Sequence, residues 1–399
     1  MAVRLLSLAF ALCLAAAPIH AQEFEQPPDS PVAQVLGAQA TGANYTVADP
    51  VYSDGLMHNF TLQTNYGTFQ VSGDGMMRER LREMQALATL ESMSKSDVFL
   101  KSLGQTAQAP VTFGKNLIND PDATMKRAAS GVSRMFDRVG TGIRNRKSSR
   151  DSTMGSVLGV DAARRQIAVQ LGVDPYTDFA PLAQALNDIA TASAMGGLSV
   201  KALTMAIPGG IGVAVGAGNT VESITSALAE KTSTEIVDMV AGRLAALDVP
   251  AETAARLIQN RVYSPADLLI MAEALTTLNA RGSAIFVDRA ADAATRDEAV
   301  FQRVRARVLA GQGQALGIRA FEDVGGFPLN RLADGRILAL FPFDEVSWTG
   351  SVGATFTQVV AALPPDAGPP LLVVTGQLTD LARASITGAG WTVQTVPLP

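Results

Sequence analysis

The stretch Leu56-Met57-His58-Asn59-Phe60-Thr61-Leu62-Gln63 alternates between two sets of residues, and beyond Gly73 the apolar spacing changes to Met77, Leu81, Met84 and Leu87. Period two places Leu56, His58, Phe60 and Leu62 on one face of a strand, whereas intervals of three and four align the later residues along one side of a helix. The switch falls at Asp74, a residue type suited to cap a helix N-terminus. Turn residues bracket the strand, Ser53-Asp54-Gly55 before it and Asn65-Tyr66-Gly67 after it, and Phe69 with Val71 continues the alternation. This predicts a small antiparallel meander over 45–73 followed by a helix to about Met93, its polar side carrying Arg78, Arg82 and Glu83.

Helical spacing continues downstream, with helices expected at about 96–107, 122–143, 161–171, 179–195, 222–247, 251–260, 265–279 and 284–309. Ser264-Pro265 is a start signal, with serine as cap and proline in the first turn. Charges of both signs over Thr295–Arg307 read as a solvated helix face. Past Gly311–Gly317 the pattern changes again. A hairpin is expected around Ala333-Asp334-Gly335, then a helix at 355–363, a strand at Leu371–Val374, a helix at 378–386 and a last strand at 391–396. The fold class is therefore α+β. Its expected parts are a flexible lead-in (22–44, with Pro27, Pro28 and Pro31), the meander (45–73), a large helical region (74–312) and a small C-terminal α/β module (318–399).

Residues 1–21 read as a cleavable secretory signal peptide: Arg4 is the positive n-region, Leu5–Ala17 the apolar run, and Ala21 the small residue before the cut. Removal would take away Cys13, the one cysteine, and His20, one of two histidines. Disulfides, thiol chemistry, thiolate zinc sites and multi-histidine metal sites are then excluded, and His58 is the sole imidazole left. On its strand it reads as a packed sheet histidine, with a catalytic or ligand role as the alternative. The expected location is the periplasm or the medium, with peripheral membrane association open.

The 399-residue chain has 17% charged residues and a net charge of −5, which argues against nucleic acid as a partner. Local charge differs. Between Lys115 and Arg150 nine basic residues face three acidic ones. There Met125, Ala129, Val132, Phe136, Val139 and Ile143 fall within about 40° of one line on a helical wheel. Lys126, Arg127, Arg134, Arg138, Arg144, Arg146 and Lys147 form a candidate contact for an anionic surface, either a membrane or an acidic envelope protein. A second unusual segment, Leu198–Gly218, is almost wholly apolar and broken by Pro208-Gly209-Gly210; it reads as a buried helical hairpin or a membrane-dipping one.

Signals for chemistry are weak. Gly210, Gly212 and Gly216 resemble a loosened phosphate loop without a preceding strand. Ser92-Met93-Ser94-Lys95 has the serine–lysine spacing of penicillin-binding proteins, and Lys231-Thr232-Ser233 loosely resembles their later lysine element, but in a helical context. No cofactor and no catalytic residue is expected. The functional expectation is a non-enzymatic interaction or structural protein of the cell envelope. Its rivals are an envelope hydrolase, with two carboxylates or Ser92 beside Lys95 converging in one cleft, and a carrier of an apolar ligand, with a deep apolar cavity lined by the middle helices.

Overall fold

A computed structural model describes residues 24–94, 131–139, 158–196 and 219–399. The helices α1 (Val32–Leu36) and the strands β1 (Thr41–Gly42), β2 (Tyr45–Val47), β3 (Tyr52–Ser53), β4 (His58–Thr64) and β5 (Gly67–Ser72) open the chain. Strand β4 is the spine of this sheet, pairing antiparallel with β2, β3 and β5. Its alternation does the expected work: Phe60 and Leu62 are fully buried while Gln63 is exposed. At the hairpin end, Thr64 Oγ1 donates to Gly67 O (2.8 Å) and accepts from Tyr66 N (3.0 Å).

Residues 24–44 differ from the flexible lead-in expected of them. Ser30 bridges Val51, Val32 N donates to Asp49 Oδ1 (2.8 Å), and Glu25 N donates to Trp348 O (3.1 Å). Their prolines favour an extended backbone with no period of its own, and the order comes from partners distant in sequence.

Helix α2 (Asp74–Ser94) packs Met77, Leu81, Met84 and Leu87 into the core, and it also buries Glu79, Arg80 and Glu83. The helical region continues through α3 (Gly131–Val139), α4 (Leu158–Gln170), α5 (Ala180–Gly196), α6 (Asn219–Glu230), α7 (Ser233–Ala246), α8 (Ala251–Gln259), α9 (Pro265–Leu278), α10 (Ser283–Ala290) and α11 (Arg296–Leu316). Two expected long helices are each two. The first breaks before a capping box, in which Glu235 N donates to Thr232 Oγ1 (3.3 Å) and Thr232 N to Glu235 Oε2 (2.7 Å). In the second, the carbonyls freed at the end of α10 are taken by Asn260 Nδ2, on Ala291 O (3.1 Å) and Ala293 O (2.7 Å), and by Tyr263 Oη on Ala290 O (2.7 Å). Ser264 caps α9 as read, in a box with Asp267.

The C-terminal part holds β6 (Ile318–Val324), β7 (Phe327–Leu332), β8 (Ile337–Phe341), β9 (Glu345–Val346), α12 (Gly350–Ala361), β10 (Leu371–Val374), β11 (Gln377–Leu378), α13 (Asp380–Gly388) and β12 (Thr392–Thr395). Its main sheet runs β12-β10-β8-β7-β6, with β8, β10 and β12 parallel and β6, β7 and β8 antiparallel. The whole is the expected α+β class. Leu338, Leu340, Leu371 and Val373 on one sheet face join the helical core, while Ile337, Ala339, Phe341, Leu372 and Val374 line a second core with α3, α12 and α13. The change of pattern near 312–318 is thus a change of secondary structure across a shared core. No helix among the described residues is long and apolar enough to cross a membrane, and Leu198–Gly218 and the helix expected at 96–107 lie outside the described residues.

Candidate functional site

Of the basic residues singled out above, Arg134 and Arg138 lie on α3 with Arg134 exposed, whereas Lys126, Arg127, Arg144, Arg146 and Lys147 fall outside the described residues. The apolar side of α3 is already occupied. Val132, Met135 and Phe136 are buried, and the Phe136 ring meets those of Phe343, Phe341 and Phe327 at 5.1, 5.2 and 5.8 Å.

That aromatic packing leaves a cavity of about 90 Å³ between the second sheet face, α3, α12 and α13. Phe136, Phe341, Phe343, Trp348, Phe356 and Trp391 line it, and Ser351 and Thr355 stand on its more exposed side. Phe356 lies 5.5 Å from Trp348 and 5.4 Å from Trp391, ring to ring. Both tryptophans of the chain are here, each 3% exposed. The buried Trp391 Nε1–H has no hydrogen-bond partner among the described residues. An interior donor left unmatched costs about 1–3 kcal/mol, which a ligand acceptor would recover.

The N-terminal arm closes over the rim of this region. Trp348 N donates to Glu25 Oε1 (2.5 Å), Thr379 Oγ1 donates to the same oxygen, and Phe24 sits so close to Gly353 that a Cβ there would lie 2.8 Å from Phe24 Cε1.

At the carboxyl end of β8, Asp344 reaches into the N-terminal sheet. Its Oδ2 accepts the backbone N–H groups of His58 and Asp74, both at 3.0 Å, and His58 Nδ1–H donates to Asp74 Oδ1 (2.8 Å). Gly376 has no Cβ, which lets the β10–β11 turn lie against the Asp344 backbone, where a side chain would collide. Burial draws the His58 pKa down, but the Asp74 hydrogen bond and the charges of Asp344, Asp74 and Glu345 outweigh it and push it up to about 9. Burial, then the charge of Asp74, raise Asp344 well above the usual carboxylate range.

A larger ionic cluster joins α2, α9 and α11. Asp267 accepts from Arg303 Nη1 (2.6 Å) and from Arg296 Nη1, and Glu79 accepts from Arg296 Nη2 (3.0 Å) and from Arg303 Nη2. Arg80 binds Glu83 (2.5 Å) and both oxygens of Asp178 (2.9 Å each). The supposed solvated face of α11 therefore holds buried Glu298, Arg303 and Arg305. The charges of Arg296 and Arg303 are matched across helices, a pairing invisible along one helix. Arg305 spends its charge on Leu340 O (2.9 Å), Pro328 O (2.5 Å) and the Phe341 ring 4.2 Å away, and burial lowers its pKa to about 9.

Beside this cluster is a second, polar cleft of about 60 Å³ whose walls include Glu83, Asp174, Arg82 and Arg307. Burial foremost pushes Glu83 up to about 7 and Asp174 up to about 6. The oxygens of Glu83 are held by Arg80 and Thr177, so it is a structural partner before it is an acid. Ser92 is exposed in the last turn of α2, Lys95 lies outside the described residues, and Lys231 sits in the break before α7. No family model, no curated protein and no solved structure matches this chain.

The cavity lies against the C-terminal sheet and not among the middle helices, where an apolar carrier is expected to hold one. Its wall is drawn from positions between 54 and 391, and the signal within reach was the concentration of both tryptophans in the last 52 residues.

Proposed function

We propose that this is an exported cell-envelope protein with a non-catalytic role, carrying a small apolar ligand in the aromatic cavity of its C-terminal sheet. The export half rests on residues 1–21. The ligand half rests on one observation: an aromatic cavity of about 90 Å³ lined by Trp391, whose buried Nε1–H has no hydrogen-bond partner among the described residues. Sites for small molecules are concave and mostly apolar, with a few polar groups that fix orientation. The ligand class is an aromatic ring or short acyl chain bearing one hydrogen-bond acceptor. The volume is below the roughly 150 Å³ of an engineered cavity that holds benzene, so the occupant is small or inserts only its end.

Aliphatic amides of four to ten carbons supply such a chain and acceptor without a charge. Calorimetric titration should find a preferred length. Trp391→Phe keeps most of the volume and removes the donor, and should weaken binding by about 2- to 10-fold, the worth of one neutral hydrogen bond. Ala339→Leu fills the cavity floor on β8 and should abolish binding while the chain still unfolds cooperatively. Equal affinity in wild type and Ala339→Leu would remove the proposal.

A further inference from the structure

We propose that His58, Asp74 and Asp344 form a binding site for one divalent transition-metal ion, Zn²⁺ in the first instance. One ligand atom from each residue can be taken so that all three lie within 4.8 Å of one another. Donors placed about 2.0–2.2 Å from a tetrahedral zinc ion stand about 3.3–3.6 Å apart, so binding draws the three side chains closer together. The ligands come from three separate segments: the start of β4, the first turn of α2 and the loop after β8.

The ion would take the place of the proton that His58 Nδ1 shares with Asp74 Oδ1 across 2.8 Å. Asp344 keeps Oδ2 on the backbone N–H groups of His58 and Asp74, and its Oδ1, which makes no hydrogen bond among the described residues, would be the third donor. Charge favours a cation. Two carboxylates and a neutral imidazole balance a divalent ion, whereas without one the two acids crowd a single imidazole in a largely buried space.

Imidazole with carboxylate oxygen suits zinc, and zinc outcompetes manganese and iron at mixed nitrogen and oxygen sites. The side chain of Asp74 is 28% exposed, which gives the ion a way in and water a place in its shell. Bound there, the ion would fasten the N-terminal sheet and α2 to the C-terminal module. The site involves none of the residues that line the apolar cavity, so it stands or falls independently of the ligand proposed there.

The test is equilibrium dialysis of the chelator-treated chain, without a histidine tag, against Zn²⁺, with metal content read by mass spectrometry and affinity by calorimetry. About one Zn²⁺ per chain should bind, and His58→Gln and Asp74→Ala should each weaken it at least tenfold. Both variants leave the Asp344 carboxylate in place to accept its backbone donors, and circular dichroism checks their fold. The wild type carries a second readout: the chain has two histidines, His20 and His58, so its imidazole ¹⁵N spectrum shows at most two rings. The ring absent from His58→Gln should shift on adding Zn²⁺. An uptake far below one ion per chain, a His58 ring that does not respond, or unchanged uptake in both variants would overturn the site; binding of Mg²⁺ without Zn²⁺ would overturn its assignment to zinc.

Discussion

Asp267→Asn removes one negative charge from the centre of the helical region while keeping the shape of the side chain. Asp267 is fully buried, accepts from Arg296 and Arg303, and takes the Ser264 N–H at 2.8 Å as half of the α9 capping box. The asparagine still offers an oxygen to Ser264, so the cap survives. What is lost is the charge that two guanidinium groups share, leaving Arg303 to Glu79 and Arg296 to Glu79 and the more exposed Asp178, 3.5 Å away. Breaking one partner out of a buried ion pair costs about 3–5 kcal/mol, because the remaining charge stays buried and uncompensated. Asp267→Ala should cost about 1 kcal/mol more, the usual worth of the hydrogen bond it takes from Ser264 N–H. Urea unfolding followed by circular dichroism measures both, with the slope expected to stay constant so that the midpoint shift carries the change. A loss under about 1 kcal/mol for Asp267→Asn would refute the view that this cluster locks α2, α9 and α11 together.

Other expectations follow from single contacts. Glu83, pushed up to about 7 from the usual 4.5, binds more protons folded than unfolded across that window, so it costs stability as pH rises from 4.5 to 7, by up to about 3 kcal/mol. Glu83→Gln should remove that slope, which unfolding curves at pH 4.5 and 7.5 would reveal as a gain of the variant over wild type; a constant difference would contradict it. Glu79, whose pKa burial raises but Arg303 and Arg296 hold far below the usual range, acts in the other window: its contribution is present above pH 4.5 and lost as pH falls below it. Gly353→Ala would set a methyl 2.8 Å from Phe24 Cε1. Since Phe24 is 47% exposed and can swing away, the expected result is a released arm with near-normal stability, seen as faster chymotryptic cleavage after Phe24; unchanged cleavage would argue against the contact.

Local signals were legible wherever one element determined its own shape. The alternation at 56–63, the turn at Asn65-Tyr66-Gly67, Ser264-Pro265 and the apolar run Leu371–Val374 all appear as elements of the expected type. Strand β6 escaped because a register shift between Ile318 and Ala320 spaces its buried residues, Ile318, Phe321 and Val324, every three positions, a helical interval. The helix breaks at Lys231–Thr232 and Ala291–Thr295 rest on side chains, Glu235 and Asn260, whose capping role is decided by where they fold back. The same limit applies to the sites. Glu79 on α2 and Arg296 and Arg303 on α11 look solvated one helix at a time, and only packing shows that they answer each other. His58 read as a packed sheet histidine because its partners stand 16 and 286 residues away.

The tryptophans supply the most direct measurement of the central claim, since Trp348 and Trp391 are the only two in the chain and both line the cavity. Their emission should change saturably as aliphatic amides are added, with a Kd below about 1 mM, equivalent to roughly −4 kcal/mol or better, and the change should vanish in Ala339→Leu. Emission that stays unaltered across the series, or shifts equally when the cavity is filled, would contradict a ligand-carrying role.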